Sequence, residues 1–130
     1  MFVDASALVA ILTLEPEADA LSERIEKSPE LFTSPVALFE TVVVVARKSR
    51  LATDIVSQRV RAFLDRVGIE VREIDKRTGD LALAAFAHYG KGQGHPARLN
   101  LGDCFAYAMA KQHGVPLLYK GDDFSKTDLA

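Results

Sequence analysis

Four positions in this chain carry carboxylates where a carboxylate is unusual. Asp4 interrupts an apolar run at the N-terminus, Glu40 lies among valines on an apolar helical face, and Asp103 comes early in a predicted helix. The fourth position is the pair Asp122 and Asp123, directly after the last apolar run. A carboxylate in apolar surroundings is costly unless it is hydrogen-bonded, paired or bound to a cation. These acids are therefore the candidates for a functional site.

Carboxylates gathered in one crevice repel one another, so a bound cation stabilises the set. Oxygen-only ligands suit Mg²⁺, or alternatively Mn²⁺, whereas zinc prefers His and Cys. A divalent ion of this kind activates a bound water and polarises a phosphoryl oxygen. The predicted chemistry is therefore metal-dependent hydrolysis of phosphodiesters.

Each acid also has a purely structural interpretation. Asp103 in a first helical turn is favoured by the helix dipole, Asp122 and Asp123 are typical turn residues, and Glu40 can extend to solvent from a helix surface. What favours a site is their joint placement at one edge of the predicted sheet, where open α/β folds bind ligands.

The elements that must position these acids alternate between strand and helix. We predict a three-layer α/β/α sandwich with a mostly parallel central sheet, whose carboxyl edge carries the acids. The first helix is predicted to be capped by Ser6, and later helices by Ser34 and Asn100. Gly68 and Gly114 are predicted helix ends. The predicted strands are Phe2–Val3, Leu31–Thr33, Glu70–Ile74 and Val115–Tyr119, and the later helices run 18–25, 35–47, 53–67, 76–89 and 101–113.

The composition indicates one globular domain spanning residues 1–130, with 48% hydrophobic and 26% charged residues. No apolar run is long enough to span a membrane, and no secretory signal is recognisable, so we expect a cytoplasmic protein. The lone Cys104 excludes an internal disulfide. A net charge of −2 argues weakly against a nucleic-acid binder held by bulk positive charge.

The chain resembles a known family over essentially its whole length, and four segments carry the resemblance. They are Val-Asp-Ala-Ser-Ala-Leu at the N-terminus, Ser34 six residues before Glu40, Leu-Asn-Leu-Gly-Asp-Cys-Phe-Ala-Tyr-Ala around Asp103, and Leu-Leu-Tyr-Lys-Gly-Asp-Asp-Phe near the end. These segments resemble PIN-domain proteins, and specifically VapC-type toxins of type II toxin–antitoxin systems. The resemblance implies an Mg²⁺- or Mn²⁺-dependent endoribonuclease that a VapB-type antitoxin inhibits.

The resemblance also implies roles for individual residues. It assigns Asp4 and Asp103 to the metal, with Glu40 completing the inner set, and Ser6 to the hydroxyl position that orients the site. For the fourth acid we favour Asp122. Its neighbour Asp123 directly precedes a phenylalanine and can instead stabilise the turn. VapC-type toxins use apolar helical surfaces for dimerisation and antitoxin binding, so a homodimer is expected, with the two N-terminal helices as one candidate surface.

RNA is expected to lie across the carboxyl edge of the sheet. Lys120, Arg98 and the segment 90–96, which includes Lys91 and His95, are candidates for phosphate contacts. Ordinary solvated charge is an equally good interpretation of each.

Two other classes of function remain open at this stage. One is a catalytically silent antitoxin-binding module in which the acids hold a structural ion or meet an arginine of a partner. The other is phosphoryl chemistry on Asp4 of the haloacid-dehalogenase or response-receiver kind. The first of these lacks its second aspartate, because Ser6 occupies that place, and a receiver has only Asp75 as a poor phosphoacceptor.

Overall fold

A parallel sheet of four very short strands forms the centre of the protein, which we describe from a computed structural model covering residues 1–130. The strands are β1 (Phe2–Val3), β2 (Phe32–Thr33), β3 (Glu70–Val71) and β4 (Leu117–Leu118). Their order in the sheet is β3-β2-β1-β4, so β1 is central and pairs with both β2 and β4.

Six helices cover the two faces of this sheet. They are α1 (Ala5–Leu12), α2 (Ala18–Glu26), α3 (Pro35–Ser49), α4 (Thr53–Val67), α5 (Lys76–Tyr89) and α6 (Leu101–His113). The predicted helices are present, with α3 extending two residues beyond the predicted end. The predicted strands at Glu70–Ile74 and Val115–Tyr119 were too long, because only two residues of each pair with a neighbour.

Successive residues of β1 belong to two different hydrophobic cores. Phe2 packs with Phe32 and Met109 in the core beneath α5 and α6, whereas Val3 packs with Leu8 and Val42 in the core beneath α1 to α4. This alternation is the period-two pattern of a strand buried on both faces. The predicted three-layer α/β/α sandwich with a parallel sheet is therefore confirmed. None of the helices combines the length and apolar character needed to cross a membrane.

The caps follow the sequence signals at most helix ends. Ser34 accepts a hydrogen bond from the Ala37 amide at the start of α3, and Gly68 and Gly114 end α4 and α6 with positive φ angles. The prediction that Ser6 caps the first helix was wrong. Asp4 is the N-cap of α1, because its extended backbone lets its carboxylate accept from the Ser6 amide two residues later.

Candidate active site

Asp4 lies at the carboxyl end of the central strand and is only 6% exposed. Its Oδ2 accepts two hydrogen bonds from Ser6, one from the backbone N–H at 3.0 Å and one from Oγ–H at 2.6 Å. The Ser6 hydroxyl also accepts the backbone N–H of Lys120 at 3.0 Å, which ties the start of α1 to the turn after β4. Burial raises the pKa of Asp4, the Ser6 hydrogen bonds oppose this, and the charge of Asp123 adds to it.

Asp103 lies in the first turn of α6, where it forms a reciprocal cap with Asn100. The Asp103 amide donates to Asn100 Oδ1 at 2.9 Å, and Asp103 Oδ2 accepts the Asn100 amide at 3.0 Å. Burial raises the pKa of Asp103 to about 6, opposed by the Asn100 hydrogen bond and assisted by the charges of Asp123 and Asp4. The hydrogen bonds that position both aspartates therefore go to Oδ2.

Glu40 reaches the same place from the second turn of α3. Burial raises its pKa to about 7, and the negative charges of Asp4 and Asp103 act in the same direction, with no hydrogen bond opposing them. The Glu40 carboxylate packs directly against Gly102 of α6, where an added Cβ would collide with it. The absence of a side chain at Gly102 is what allows α3 to bring this acid to the start of α6.

The turn after β4 supplies the fourth acid, and the structure brings Asp123 rather than the favoured Asp122 to the cleft. Asp123 lines the cleft and its charge raises the pKa values of both Asp4 and Asp103. Asp122 is exposed outside the cleft, and its backbone carbonyl accepts from Ser125. The turn begins at Gly121, which has a positive φ of 92°.

These residues line one cleft of about 280 Å³ that contains five carboxylates and one ammonium. The fifth carboxylate is Glu15, on the turn between α1 and α2. Its Oε1 pairs with Lys48 of α3 at 3.0 Å, and its Oε2 pairs with Lys120 at 3.2 Å. Lys120 also lies 3.6 Å from Glu17. Glu15 thus connects the helix that carries Glu40 to the turn that carries Asp123.

The residues of this cleft fit a hard divalent cation by their chemistry. All the candidate ligands are oxygens, and burial together with mutual repulsion disfavours the charged forms of Asp4, Glu40 and Asp103. A cation reverses this penalty. No three Asp, Glu, His or Cys side chains are gathered closely enough to surround an ion directly. Mg²⁺ commonly binds through one or two carboxylates and keeps several waters, so this spacing is compatible with it.

The other candidates from the sequence lie at several places. Lys120 lines the cleft, whereas Lys91, His95 and Arg98 belong to the segment between α5 and α6 and do not line it. Asp75, considered as a phosphoacceptor, is the N-cap of α5 and accepts from Thr78. It is thus used structurally.

Sequence reasoning missed three residues that shape the cleft. Gly102 carries the clearest signal, because a glycine inside the first turn of a helix is otherwise unfavourable. Glu15 looked like part of a helix break at Glu15-Pro16-Glu17, and its partners lie far away in the sequence. The role of Asn100 was predicted only as a cap, although it also lines the cleft.

Comparison with known proteins finds relatives that match nearly the whole chain. A PIN domain model matches residues 1–129. A VapC ribonuclease of Rhizobium meliloti is 45% identical over 139 residues, covering 98% of each chain. Ribonuclease VapC42 of Mycobacterium tuberculosis is 43% identical over 129 residues, covering 99% of this chain and 96% of its own.

Two solved structures share the fold at lower sequence identity. VapC20 of Mycobacterium tuberculosis, described as a sarcin-ricin loop cleaving toxin, superposes with a TM-score of 0.72 at 16% identity, covering 95% of this chain and 92% of that one. A toxin–antitoxin complex from Klebsiella pneumoniae contains a chain with a TM-score of 0.73 at 21% identity, with coverage of 98% and 92%. At these identities the likeness concerns the fold.

Proposed function

The chain belongs to the PIN-domain family and, within it, to the VapC ribonucleases, and from this premise we propose that its acidic cleft hydrolyses RNA with Mg²⁺ or Mn²⁺ as the toxin of a VapBC system. The observation that carries the proposal is the convergence of Asp4, Glu40 and Asp103, from three separate elements, on one cleft. Ribonucleases with this domain generally use divalent ions.

In this proposal Asp4 and Asp103 would hold the ion, and Glu40 would complete the set by placing a third negative charge beside it. A bound divalent ion lowers the pKa of a water and polarises the phosphoryl oxygen. Ser6 fixes the rotamer of Asp4 by donating to Oδ2 from both its amide and its hydroxyl. Asp123, in the place expected for Asp122, would accept a hydrogen bond from the attacking water.

Lys120 has a positioning role in the same proposal. Its ammonium is held by Glu15 and Glu17, and its backbone amide holds Ser6. Loss of either contact would loosen the turn that carries Asp123 relative to Asp4.

RNA cleavage under controlled metal conditions tests the proposal. Purified protein is incubated with structured and single-stranded RNA in Mg²⁺, in Mn²⁺ and in excess chelator, beside the Asp4→Asn variant. Asp65→Asn is the matched control, because Asp65 is exposed on α4 away from the cleft. Cleavage that survives both the chelator and Asp4→Asn contradicts the metal role. Absence of cleavage together with capture of an antitoxin favours a silent binding module instead.

The partner in this proposal is a VapB-type antitoxin. Support comes from the family and from the fold shared with a chain of a toxin–antitoxin complex. A small reading frame beside the gene would be the candidate to test. Its product is expected to copurify with the wild-type chain and to suppress cleavage at equimolar amounts, and an unchanged cleavage rate would argue against it.

We also propose a homodimer, through a surface different from the two N-terminal helices considered at first. Leu83 (70% exposed), Leu101 (69%) and Phe39 (70%), from α5, α6 and α3, are among the most exposed large apolar side chains of the protein. Phe86 lies with Leu83 and Leu101 along one groove, and Leu101 and Phe39 share the next. Burial against a second copy removes this apolar surface from water.

Light scattering after size-exclusion chromatography tests the dimer. Leu101→Lys with Leu83→Lys is expected to give a monomer, whereas Leu14→Lys, at a leucine elsewhere that is even more exposed, is expected to leave the mass unchanged. A wild-type chain that is monomeric at high micromolar concentration would refute the dimer. We further propose that the whole chain, 1–130, is one nuclease domain acting on cytoplasmic RNA.

A further inference from the structure

The segment from Gly90 to Asn100, here called the α5–α6 loop, lies beside the acidic cleft, and backbone hydrogen bonds join its two ends. Lys91 N–H donates to the Leu99 carbonyl at 2.9 Å, and Leu99 N–H donates to the Tyr89 carbonyl at 2.8 Å. The loop ends at Asn100, which caps Asp103 and lines the cleft. A bound RNA strand that crosses the cleft near the start of α6 would therefore pass this loop.

The charge of the loop is opposite to that of the cleft. No Asp or Glu occurs between Asp80 and Asp103, the longest acid-free stretch of the chain. Within it, Lys91 and Arg98 are exposed, and neither takes part in any of the ion pairs of the protein. Arg98 has a φ of 52° between the buried residues Ala97 and Leu99, so the turn exposes its side chain. These two cations are free to meet phosphates.

A cluster of aromatic rings lies in and next to the same loop. Tyr89 packs edge-to-face against His95 with centroids 4.8 Å apart and against His88 at 4.3 Å, and it rests on Tyr107 at 5.5 Å. His88 is exposed and His95 is half-buried. His95 Nδ1 accepts the Ala97 amide at 3.0 Å, so the ring orientation is fixed. In the neutral imidazole this leaves the proton on Nε2, available for donation to a ligand.

We infer that the α5–α6 loop binds the unpaired nucleotides of single-stranded RNA next to the scissile phosphate, with bases stacking on His88 and His95 and phosphates contacting Lys91 and Arg98. This inference rests on the proposed function. Aromatic rings interleaved with cations are the common basis of single-strand binding, and stacking on them tolerates any base. Because the cleft is acidic and the net charge of the chain is −2, RNA needs such a local positive site to approach it.

Binding of a fluorescently labelled 20-nucleotide single-stranded RNA, measured by anisotropy in chelator, tests the inference without cleavage. Arg98→Ala and Lys91→Ala are each expected to raise Kd about tenfold and to reduce the log–log salt slope by about 0.7. The matched control is Arg77→Ala, because Arg77 is exposed and forms no ion pair on the far end of α5. It is expected to change Kd less than about twofold.

The histidine variants separate stacking from charge. His88→Ala is expected to raise Kd about tenfold with an unchanged salt slope, because stacking is not electrostatic. His95→Phe keeps a ring but loses Nδ1, so it is expected to bind within about threefold of wild type, whereas His95→Ala loses binding as His88→Ala does. A duplex of the same sequence offers no unstacked bases and is expected to be insensitive to all histidine variants.

The outcomes distinguish this inference from the proposed function. If the wild-type chain cleaves RNA with Mg²⁺ while Arg98→Ala and His88→Ala bind single strands with wild-type affinity and slope, the loop is not the binding site and the function stands. If these variants lose binding while the wild-type chain shows no metal-dependent cleavage, the loop is an RNA site and the function falls. Equal losses in Arg77→Ala overturn the inference, because the effect is then general charge.

Discussion

Two aspartates at helix starts and a glutamate in the second turn of α3 reach the same cleft, but different interactions position them. Asp4 and Asp103 each have one carboxylate oxygen fixed by a helix cap, so their positions are set by folding itself. Glu40 has no hydrogen bond that lowers its pKa, and it is placed by packing against Gly102. Hydrogen bonds at helix starts therefore fix the two aspartates, whereas Glu40 has no hydrogen bond that offsets the effect of burial on its pKa.

The largest effect is expected from a substitution that removes the charge of Asp4 but keeps its ability to cap α1. Asp4→Asn keeps an oxygen that accepts the Ser6 amide, and Asn caps helices as well as Asp does. Activity is expected to fall at least about 1,000-fold, since the lost charge stabilises the ion and the transition state. The free energy of unfolding is expected to change by less than about 1 kcal/mol.

Cleavage assays and urea denaturation of the same preparation measure the two quantities in Asp4→Asn. A large loss of stability in this variant would show that the charge, and not the hydrogen-bonding geometry, makes Asp4 a cap. The contrast with Glu40 would then fail.

The next effect concerns the two aspartates after β4. Asp123→Asn is expected to lower activity about 100-fold, because Asp123 lines the cleft and its charge raises the pKa values of Asp4 and Asp103. Asp122→Asn, one residue away and exposed outside the cleft, is the natural control and is expected to remain within about twofold of wild type. The reverse ranking in initial-rate measurements would restore Asp122 as the fourth acid.

Gly102→Ala tests whether packing alone places Glu40. The new methyl group displaces the flexible Glu40 carboxylate, so activity is expected to fall about tenfold, the scale of losing a well-positioned group. Stability is expected to stay the same or to rise by up to about 1 kcal/mol, since Ala is the better helix residue.

Gly79→Ala is the matched control for this test, because Gly79 lies within α5 and a Cβ there meets nothing within 4 Å. It is expected to gain the same helix stability with unchanged activity. Equal activity in both alanine variants would show that Glu40 does not need its contact with Gly102.

The smallest effect is a pH-dependent change in stability. The pKa of Glu40, about 7 in the folded chain, lies above its ordinary value of 4.5, so folding favours the protonated acid. This contribution is present at low pH and is lost as the pH rises through about 7. Without metal, Glu40→Gln is expected to be more stable than wild type at pH 8 by about 1 to 2 kcal/mol, and to gain little at pH 5.

Urea titrations at both pH values measure this difference, with Glu26→Gln as the exposed control. Added Mg²⁺ or Mn²⁺ is expected to abolish the advantage of Glu40→Gln, because the ion stabilises the charged carboxylate. An advantage that persists in saturating metal would mean that Glu40 does not interact with the ion.

The sequence predicted the layers of the fold because its local signals agree with one another. Ser34 before Pro35, Asn100 before α6 and Gly114 after it all lie where the structure begins or ends a helix. Strand lengths were overestimated because an apolar run continues past the two residues that pair. At the first helix both Asp4 and Ser6 are good caps by type, and only the backbone angles of Asp4 decide between them.

The cleft was less predictable where it depends on contacts between distant segments. Residue types cannot distinguish Asp122 from Asp123, because only the folded turn shows which of them lines the cleft. Gly102 matters only because α3 packs beside it, and Glu15 only because Lys48 and Lys120 meet it. These contacts depend on how distant segments of the chain pack together, so no local sequence pattern indicates them.

The dual use of Asp4, as a helix cap and as an acid of the cleft, has a genetic consequence. Aspartate and asparagine codons differ by a single base, so one transition produces Asp4→Asn, the variant expected to lose cleavage while keeping α1 capped. A population under pressure to escape the toxin can thus acquire a folded, inert copy in one step. Such a copy still presents the surfaces of the active chain, and it competes with that chain for whatever protein neutralises it.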